Sequence, residues 1–413
     1  MDANVGWAKE REYELFTRGF GETGDQAVCL ECLTDEGLVG EVRDILDEPQ
    51  CSFCGAKAGD DGAPIAVDFE RFMYVVMDGV NFIYGLANDE GVPFDEGDWV
   101  GGPVLDSYDV VEDICGYAAK ENVVEAIQEV VDHNAWTYRN YQLLQPDRAM
   151  RLGWDEFCQR IKHETRFLFM AIPQSPSLMP DEFTSVEFMA RLMEIISTSG
   201  ALVKVPAGRV FWRGRLVGDS KLPRYGAKEL GSPPPDKASA NRMSPAGISM
   251  FYGSDDIETV VAEIGAHGSR SHAAVGSFET TKPLTMLNLA ALPAVPSIFT
   301  ESGRESYYDL RFLHDFGADL RKPVVLDGRE HIDYVPTQVV TEYLRWMSPE
   351  QVDGILSSSS QNEGTNCVIF CGPEGCVDPD DELDESYLRF NPDSLQVVKV
   401  VASPMRLAPR QRD

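Results

Sequence analysis

No apolar run in the 413 residues approaches the roughly 18–20 needed to span a bilayer, so no helical membrane anchor is expected. The charged N-terminus, MDANVGWAKEREYELF, likewise lacks the apolar stretch of a secretory leader. The expectation is a cytoplasmic protein with no membrane partner. Positive charge is scarce as well: 36 Lys and Arg face 68 Asp and Glu, a net of −32. Nucleic-acid backbones need cationic partners, so direct binding of DNA or RNA is not expected. No internal repeat stands out.

The acidity is unevenly placed. Residues 1–200 hold 14 Lys and Arg against 39 Asp and Glu, a net of −25, whereas residues 201–250 hold nine basic and three acidic residues. That one cationic stretch could receive an anionic ligand; the bland alternative is a chance excess in a surface loop. The length and the 43% hydrophobic content suit two or three packed domains, because single cores rarely grow past about 250–300 residues.

Four of the nine cysteines form a pattern. Cys29, Cys32, Cys51 and Cys54 read as C-x2-C, a gap of 18 residues, and C-x2-C, the spacing of a four-thiolate zinc site. Gly55 follows the second pair, where a knuckle turn lets backbone amides face sulfur. Four thiolates close a tetrahedron, so such a Zn2+ is structural. Disulfides, the competing reading, are disfavoured in a cytosolic chain. Cys115, Cys158, Cys367, Cys371 and Cys376 make no second set and read as core or surface thiols.

From about residue 68 to 198 the sequence is amphipathic at helical spacing. Val123, Val124, Ile127, Val130 and Val131 form one stripe, and Trp154, Phe157, Cys158, Ile161, Phe167 and Leu168 another. His163 reads as a structural histidine. Beyond a boundary near 200, short Val/Ile/Phe runs alternate with Gly/Pro/Ser turns, as in a mixed sheet. The predicted organisation is an N-terminal helix over 1–25, a zinc-knuckle segment over 26–60, a helical domain over 61–198 and a β-rich domain over 200–405. The fold class is α+β.

Several motifs that could carry chemistry follow in order within the β-rich part. In VFWRGR, residues 210–215, strand alternation puts Phe211 and Arg213 on one face and Val210, Trp212 and Gly214 on the other. A guanidinium on a rigid strand suits bidentate capture of phosphate; a slip of register would give that role to Arg209 or Arg215. The loop Asn241-Arg242-Met243-Ser244-Pro245-Ala246-Gly247 offers small residues and one charge to a diphosphate. Met250-Phe251-Tyr252 reads as a buried strand. The helix after it starts from Ser254-Asp255-Asp256, with Asp255 and Glu258 as a capping box, and has Ile257, Val261 and Ile264 as its core stripe. Glu263 lies beside that stripe, so it returns to the sheet only if tertiary packing brings it there; otherwise it is an exposed glutamate at a helix end. Residues 354–356 form a strand that runs into four serines, Ser357 to Ser360, before a second strand over 367–370.

Taken together these motifs resemble the RES domain, a family named for Arg, Glu and Ser whose fold is similar to that of ADP-ribosyltransferases. The resemblance covers roughly 205–375. It implies an NAD+-consuming toxin-like enzyme that cleaves the nicotinamide–ribose bond by glycohydrolysis or phosphorolysis, or else an ADP-ribosyltransferase acting on a protein. It implies Arg213, Tyr252, Glu263 and Ser359 as catalytic, and Arg213, Arg242, Tyr252, Ser358 and Ser359 as NAD+-binding, with Ser359 favoured over Ser358. Tyr252 would stack on the nicotinamide and Glu263 would engage its ribose. YVPTQVVTEYLR, residues 334–345, also resembles this family. Gly214 stands where many members carry an aromatic, and Asn241 where they carry glycine.

The knuckles and WDEFCQRIKHETRFLF more weakly resemble, over 25–170, the N-terminal region of long RES proteins related to HEPN domains. HEPN ribonucleases use Arg-x4–6-His, which none of the six histidines completes, so this part reads as a scaffold or partner-binding module. The resemblance also implies a helix-turn-helix antitoxin or other regulatory protein as partner. The alternative of another class is a noncatalytic zinc and helical adaptor with a RES-like domain used only for binding.

Overall fold

The structure is a computed structural model describing residues 18–172, 179, 181–266, 270–322, 330–381 and 385–400. The helix expected over 1–25 falls mostly outside these residues, and Phe20 forms a β-bridge to Val131 instead of continuing it. Contacts divide the chain into two units: 1–145 with 295–308, and 146–294 with 309–413.

The first unit is mainly helical. Its strands are β1 (Ala27–Cys29), β2 (Ala66–Asp68), β3 (Tyr84–Leu86), β4 (Phe94–Asp95), β5 (Asp98–Trp99) and β6 (Trp136–Tyr138), paired two by two. Its helices are α1 (Glu36–Arg43), α2 (Phe69–Ile83), α3 (Ser107–Cys115) and α4 (Glu121–Val130). The side chains of Asp35, Asp68 and Asp106 accept backbone N–H bonds at the starts of α1, α2 and α3, satisfying donors that a helix start leaves open. Phe69, Phe72, Met73, Val76 and Val80 of α2 line the core with Val123, Val124 and Ile127 of α4, as the helical spacing predicts. The segment 295–308, which contains α9 (Glu301–Arg304), joins this unit because Ile298 and Phe299 are buried in the same core. Arg304 adds an ion pair to Asp78 at 2.6 Å.

The second unit is built on a nine-stranded mixed sheet. Its strands are β7 (Leu202–Val205), β8 (Val210–Val217), β9 (Phe251–Ser254), β10 (His272–Thr280), β11 (Leu284–Asn288), β12 (Gly354–Ser358), β13 (Thr365–Ile369), β14 (Cys376–Val377) and β15 (Leu388–Lys399). The order is β14-β15-β10-β8-β9-β13-β12-β11-β7. Strand β8 meets β9 through the single pair Trp212–Ser254. Pairs β11/β12 and β14/β15 are parallel, the others antiparallel.

The helices of this unit are α5 (Pro146–His163), α6 (Ser185–Thr198), α7 (Ala227–Leu230), α8 (Ile257–Ala266), α10 (Tyr307–Arg321), α11 (Glu330–Asp333) and α12 (Val335–Met347). Although α5 and α6 precede the boundary expected near 200, Trp154, Phe157, Phe188 and Leu192 share one core with Leu287, Phe312 and Phe316. Helix α5 ends at His163, so Phe167 and Leu168 lie off its stripe and are exposed.

Candidate active site and cysteine tetrad

Helix α8 reaches the sheet because of one glycine. A Cβ at Gly214 would stand 2.8 Å from Val260 and 3.0 Å from Ile264, closer than side chains pack. The missing side chain at Gly214 is thus what lets α8 lie directly on β8. Ile257, Val261 and Ile264 of α8 pack with Trp212 and Leu216, as the stripe predicts. The helix cap differs by one residue: Asp256, not Asp255, accepts the Thr259 N–H at 2.7 Å, while Asp255 pairs with Arg209.

With α8 so placed, Glu263 returns to the sheet. Its Oε1 accepts from Ser359 Oγ at 2.6 Å and from Asn366 Nδ2 at 2.7 Å. Ser359 sits just past β12, where its N–H bonds Gly364 O and its Oγ accepts the Gln361 N–H at 3.0 Å. Asn362 in that loop bonds Thr259 of α8, which ties the serine loop to the helix that carries Glu263. Ser358 is turned elsewhere, 3.5 Å from the Arg321 guanidinium. Of the two serines, Ser359 is the one joined to Glu263.

Tyr252 follows strand parity with Ser254 and Asn366, since Val368 pairs with Tyr252 and Asn366 with Ser254. Its hydroxyl lies 2.8 Å from Ser244 Oγ, and burial pushes its pKa up to about 12, so it stays neutral. Arg213 lies on the other face of β8, as alternation predicts. It stands over the Phe251 ring at 5.2 Å and donates to Tyr252 O at 2.6 Å. Although the residue keeps some exposure, its Nε is enclosed and has no hydrogen-bond partner among the described residues. Burial lowers its pKa to about 10, opposed by Cys376 and assisted by Arg215, so the charge persists at neutral pH.

Arg242 is committed differently from a free phosphate clamp. It donates to Leu320 O and, at 2.6 Å, to Lys322 O, holding carbonyls left open at the end of α10. Burial depresses its pKa, and the charges of Tyr334 and Glu263 oppose that. The loop that bears it is fixed by α12. Gln338 Nε2 donates to Asn241 O at 2.8 Å and Ser244 O at 3.2 Å, and Thr337 Oγ1 donates to Arg242 O. The structure therefore joins Glu263 to Ser359, Tyr252 to Ser244, and Arg213 to the Tyr252 backbone; it does not bond Arg213 or Arg242 directly to Glu263. Sequence reasoning passed over Asn366 and read Ser254 only as part of a helix start. Only strand parity with Tyr252 could have pointed to both.

In the helical unit, Cys29, Cys32, Cys51 and Cys54 converge, with all four sulfurs within 4.8 Å of one another. The separations Cys29–Cys54 3.4 Å, Cys29–Cys32 3.8 Å and Cys32–Cys51 3.9 Å bracket the ~3.8 Å edge of a tetrahedron with ~2.3 Å metal–sulfur bonds. Gly55 adopts φ 74°, a left-handed turn that favours glycine. Burial alone would raise the Cys51 thiol, yet bonds from the backbone N–H of Cys54 and Phe53 bring it to about 7; burial and Cys54 raise Cys29 to about 11. The donor set fits a divalent soft-to-borderline metal.

Residues 46–175 match HEPN/RES N-terminal domain 1, and residues 215–390 match the RES domain. No curated protein matches the chain. Among solved structures, a chain of the M. tuberculosis MbcT-MbcA toxin-antitoxin complex is similar at 14% identity, over 51% of this chain and 92% of that one, with a TM-score of 0.27. That superposition is too loose to bear on the site. Among the described residues no helix is long and apolar enough to cross a membrane. With the two family matches in the expected order, the chain is a RES-domain protein preceded by an HEPN/RES N-terminal domain.

Proposed function

We propose that this chain consumes NAD+ by cleaving the bond between nicotinamide and ribose, with water or inorganic phosphate as acceptor. The observation that supports the reading most is the Glu263 carboxylate. Its Oε1 is held by Ser359 and Asn366, and its Oε2 has no hydrogen-bond partner among the described residues. An anchored carboxylate with one open oxygen can accept a ribose hydroxyl and face positive charge as it develops at the anomeric carbon.

In this reading the C–N bond breaks and its electron pair leaves with neutral nicotinamide. The acceptor oxygen then bonds to the anomeric carbon; water passes its surplus proton to solvent, whereas phosphate attacks through an anionic oxygen that has none to lose. Tyr252 supplies the wall for the nicotinamide. Arg213, held to the Tyr252 backbone, supplies charge to the diphosphate. Arg242 acts through its charge, with two of its five N–H groups already serving carbonyls. Ser359 orients Glu263.

The four cysteines would hold a structural Zn2+, which with four thiolates has no position left for substrate. The N-terminal half, at net −25 over residues 1–200, would suit the basic face of an antitoxin or other regulatory protein, a helix-turn-helix protein by family resemblance. The organisation into knuckle, HEPN-related and RES parts, with action in the cytoplasm, belongs to the same proposal.

The test is product analysis after purified protein meets NAD+ with and without phosphate. Nicotinamide with ADP-ribose in both conditions identifies hydrolysis; nicotinamide and a phosphorylated ADP-ribose formed only with phosphate identify phosphorolysis. Intact NAD+ in both would contradict the reading.

A further inference from the structure

We propose that Asn366, backed by Ser254, is a positioning residue that aims the Glu263 carboxylate; this rests on the NAD+ reading above. Asn366 lies on β13 opposite Ser254 of β9. Ser254 Oγ donates to its Oδ1 at 2.7 Å, and its Nδ2 donates to Glu263 Oε1 at 2.7 Å. A carboxylate only accepts hydrogen bonds, so it requires the amide nitrogen on its side. Ser254, as a donor on the opposite side, requires the amide oxygen there. The two neighbours thus agree on one orientation of the amide, and a flip would lose both bonds.

The consequence falls on Glu263. A half-buried glutamate on a helix has three side-chain torsions to settle, and a single serine would leave the carboxylate free to rotate about one bond. Two donors on Oε1, one from the loop after β12 and one from β13, fix both the position and the plane of the carboxylate. Oε2 is then the oxygen left to accept a further hydrogen bond. Charge-assisted bonds of 2.6 and 2.7 Å belong to the stronger class. Asn366 itself bonds Glu263 and Ser254, so its effect on substrate passes through the carboxylate.

Replacing Asn366 separates aiming from mere filling of space. Asn366→Asp keeps the shape and the acceptor for Ser254 but turns a carboxylate toward Glu263, and like charges repel. Asn366→Ala removes the donor without adding charge. Aiming therefore predicts that kcat for nicotinamide release falls about 10-fold in Asn366→Ala and about 100-fold in Asn366→Asp, with KM for NAD+ within about 2-fold of wild type. A packing role predicts the reverse order, with the isosteric Asp the milder change.

The experiment measures kcat and KM for the full chain, beside Glu263→Ala. The Asp-below-Ala order at steady KM supports the proposal; Asp near wild type, or KM rising in parallel, overturns it while leaving the NAD+ reading intact. A wild-type protein that releases no nicotinamide overturns the NAD+ reading and this proposal with it. Where Asn366→Asp does not fold, Ser254→Ala decides: a kcat loss of about 3-fold or more at steady KM supports the proposal, and an unchanged kcat overturns it.

Discussion

Replacing Glu263 with Ala is expected to slow nicotinamide release from NAD+ by roughly 100- to 1,000-fold, the range seen when one preorganised electrostatic group is removed from a site. The loss should fall on kcat more than on KM, because the charge it opposes exists only as the glycosidic bond breaks. Stability should fall by about 1–3 kcal/mol, since the change leaves Ser359 Oγ and Asn366 Nδ2 without their shared acceptor. Glu263→Gln divides the effect. Its carbonyl oxygen can still accept from Ser359 and Asn366, so the melting temperature should return close to wild type. The charge is gone and an N–H2 stands where Oε2 was, so the rate should remain low. Steady-state kinetics and thermal melting on the three proteins check both halves. A Gln variant with wild-type kcat would remove electrostatic stabilisation from the account.

Removing metal from the cysteine tetrad should have the largest effect on stability. Structural zinc sites contribute about 10–16 kcal/mol of apparent binding free energy in small domains, more than a typical domain has to spare. Cys29, Cys32 and Cys51 are buried within the core of the helical unit, so four thiols brought together there without a cation are crowded and poorly solvated. The purified chain is expected to carry about one zinc per molecule. Stripping it with a strong chelator, or making Cys32→Ser, should lower the melting temperature of the helical unit by tens of degrees and open residues 26–145 to protease. A chelated protein with unchanged melting and no zinc by elemental analysis would leave the tetrad as four free thiols.

How much of this was legible in the sequence depends on whether a feature is set by spacing or by packing. The tetrad was legible because ligands three positions apart in each pair fix a local turn, and Gly55 marks the turn that needs a left-handed residue. The faces of β8 were legible from alternation alone, which placed Phe211 and Arg213 opposite Trp212 and Gly214. The junction of Glu263 with Ser359 was not, because it depends on where α8 lies, and that is decided by the absent side chain of Gly214 against Val260 and Ile264. Asn366 was missed for a related reason: its partners are distant in sequence and meet only through β-register.

The division into units shows the same limit. Helices α5 and α6 carry a clear amphipathic stripe, but a stripe does not say which core it enters, and Trp154 and Phe188 enter the one shared with Phe312 and Phe316. Segment 295–308 lies in the middle of the stretch predicted to be β-rich, yet Ile298 and Phe299 belong to the helical core. A loop arginine between small residues reads as a phosphate ligand, and the contacts of Arg242 with the carbonyl end of α10, made through two of its N–H groups, could not be read from spacing.

The most direct measurement is the structure of the full chain with a non-hydrolysable NAD+ analogue. The account predicts the nicotinamide ribose hydroxyls within about 3 Å of Glu263 Oε2, the nicotinamide against Tyr252 and the diphosphate on the side of Arg213. An analogue bound away from Glu263, with the Ser359–Glu263–Asn366 cluster untouched, would contradict it.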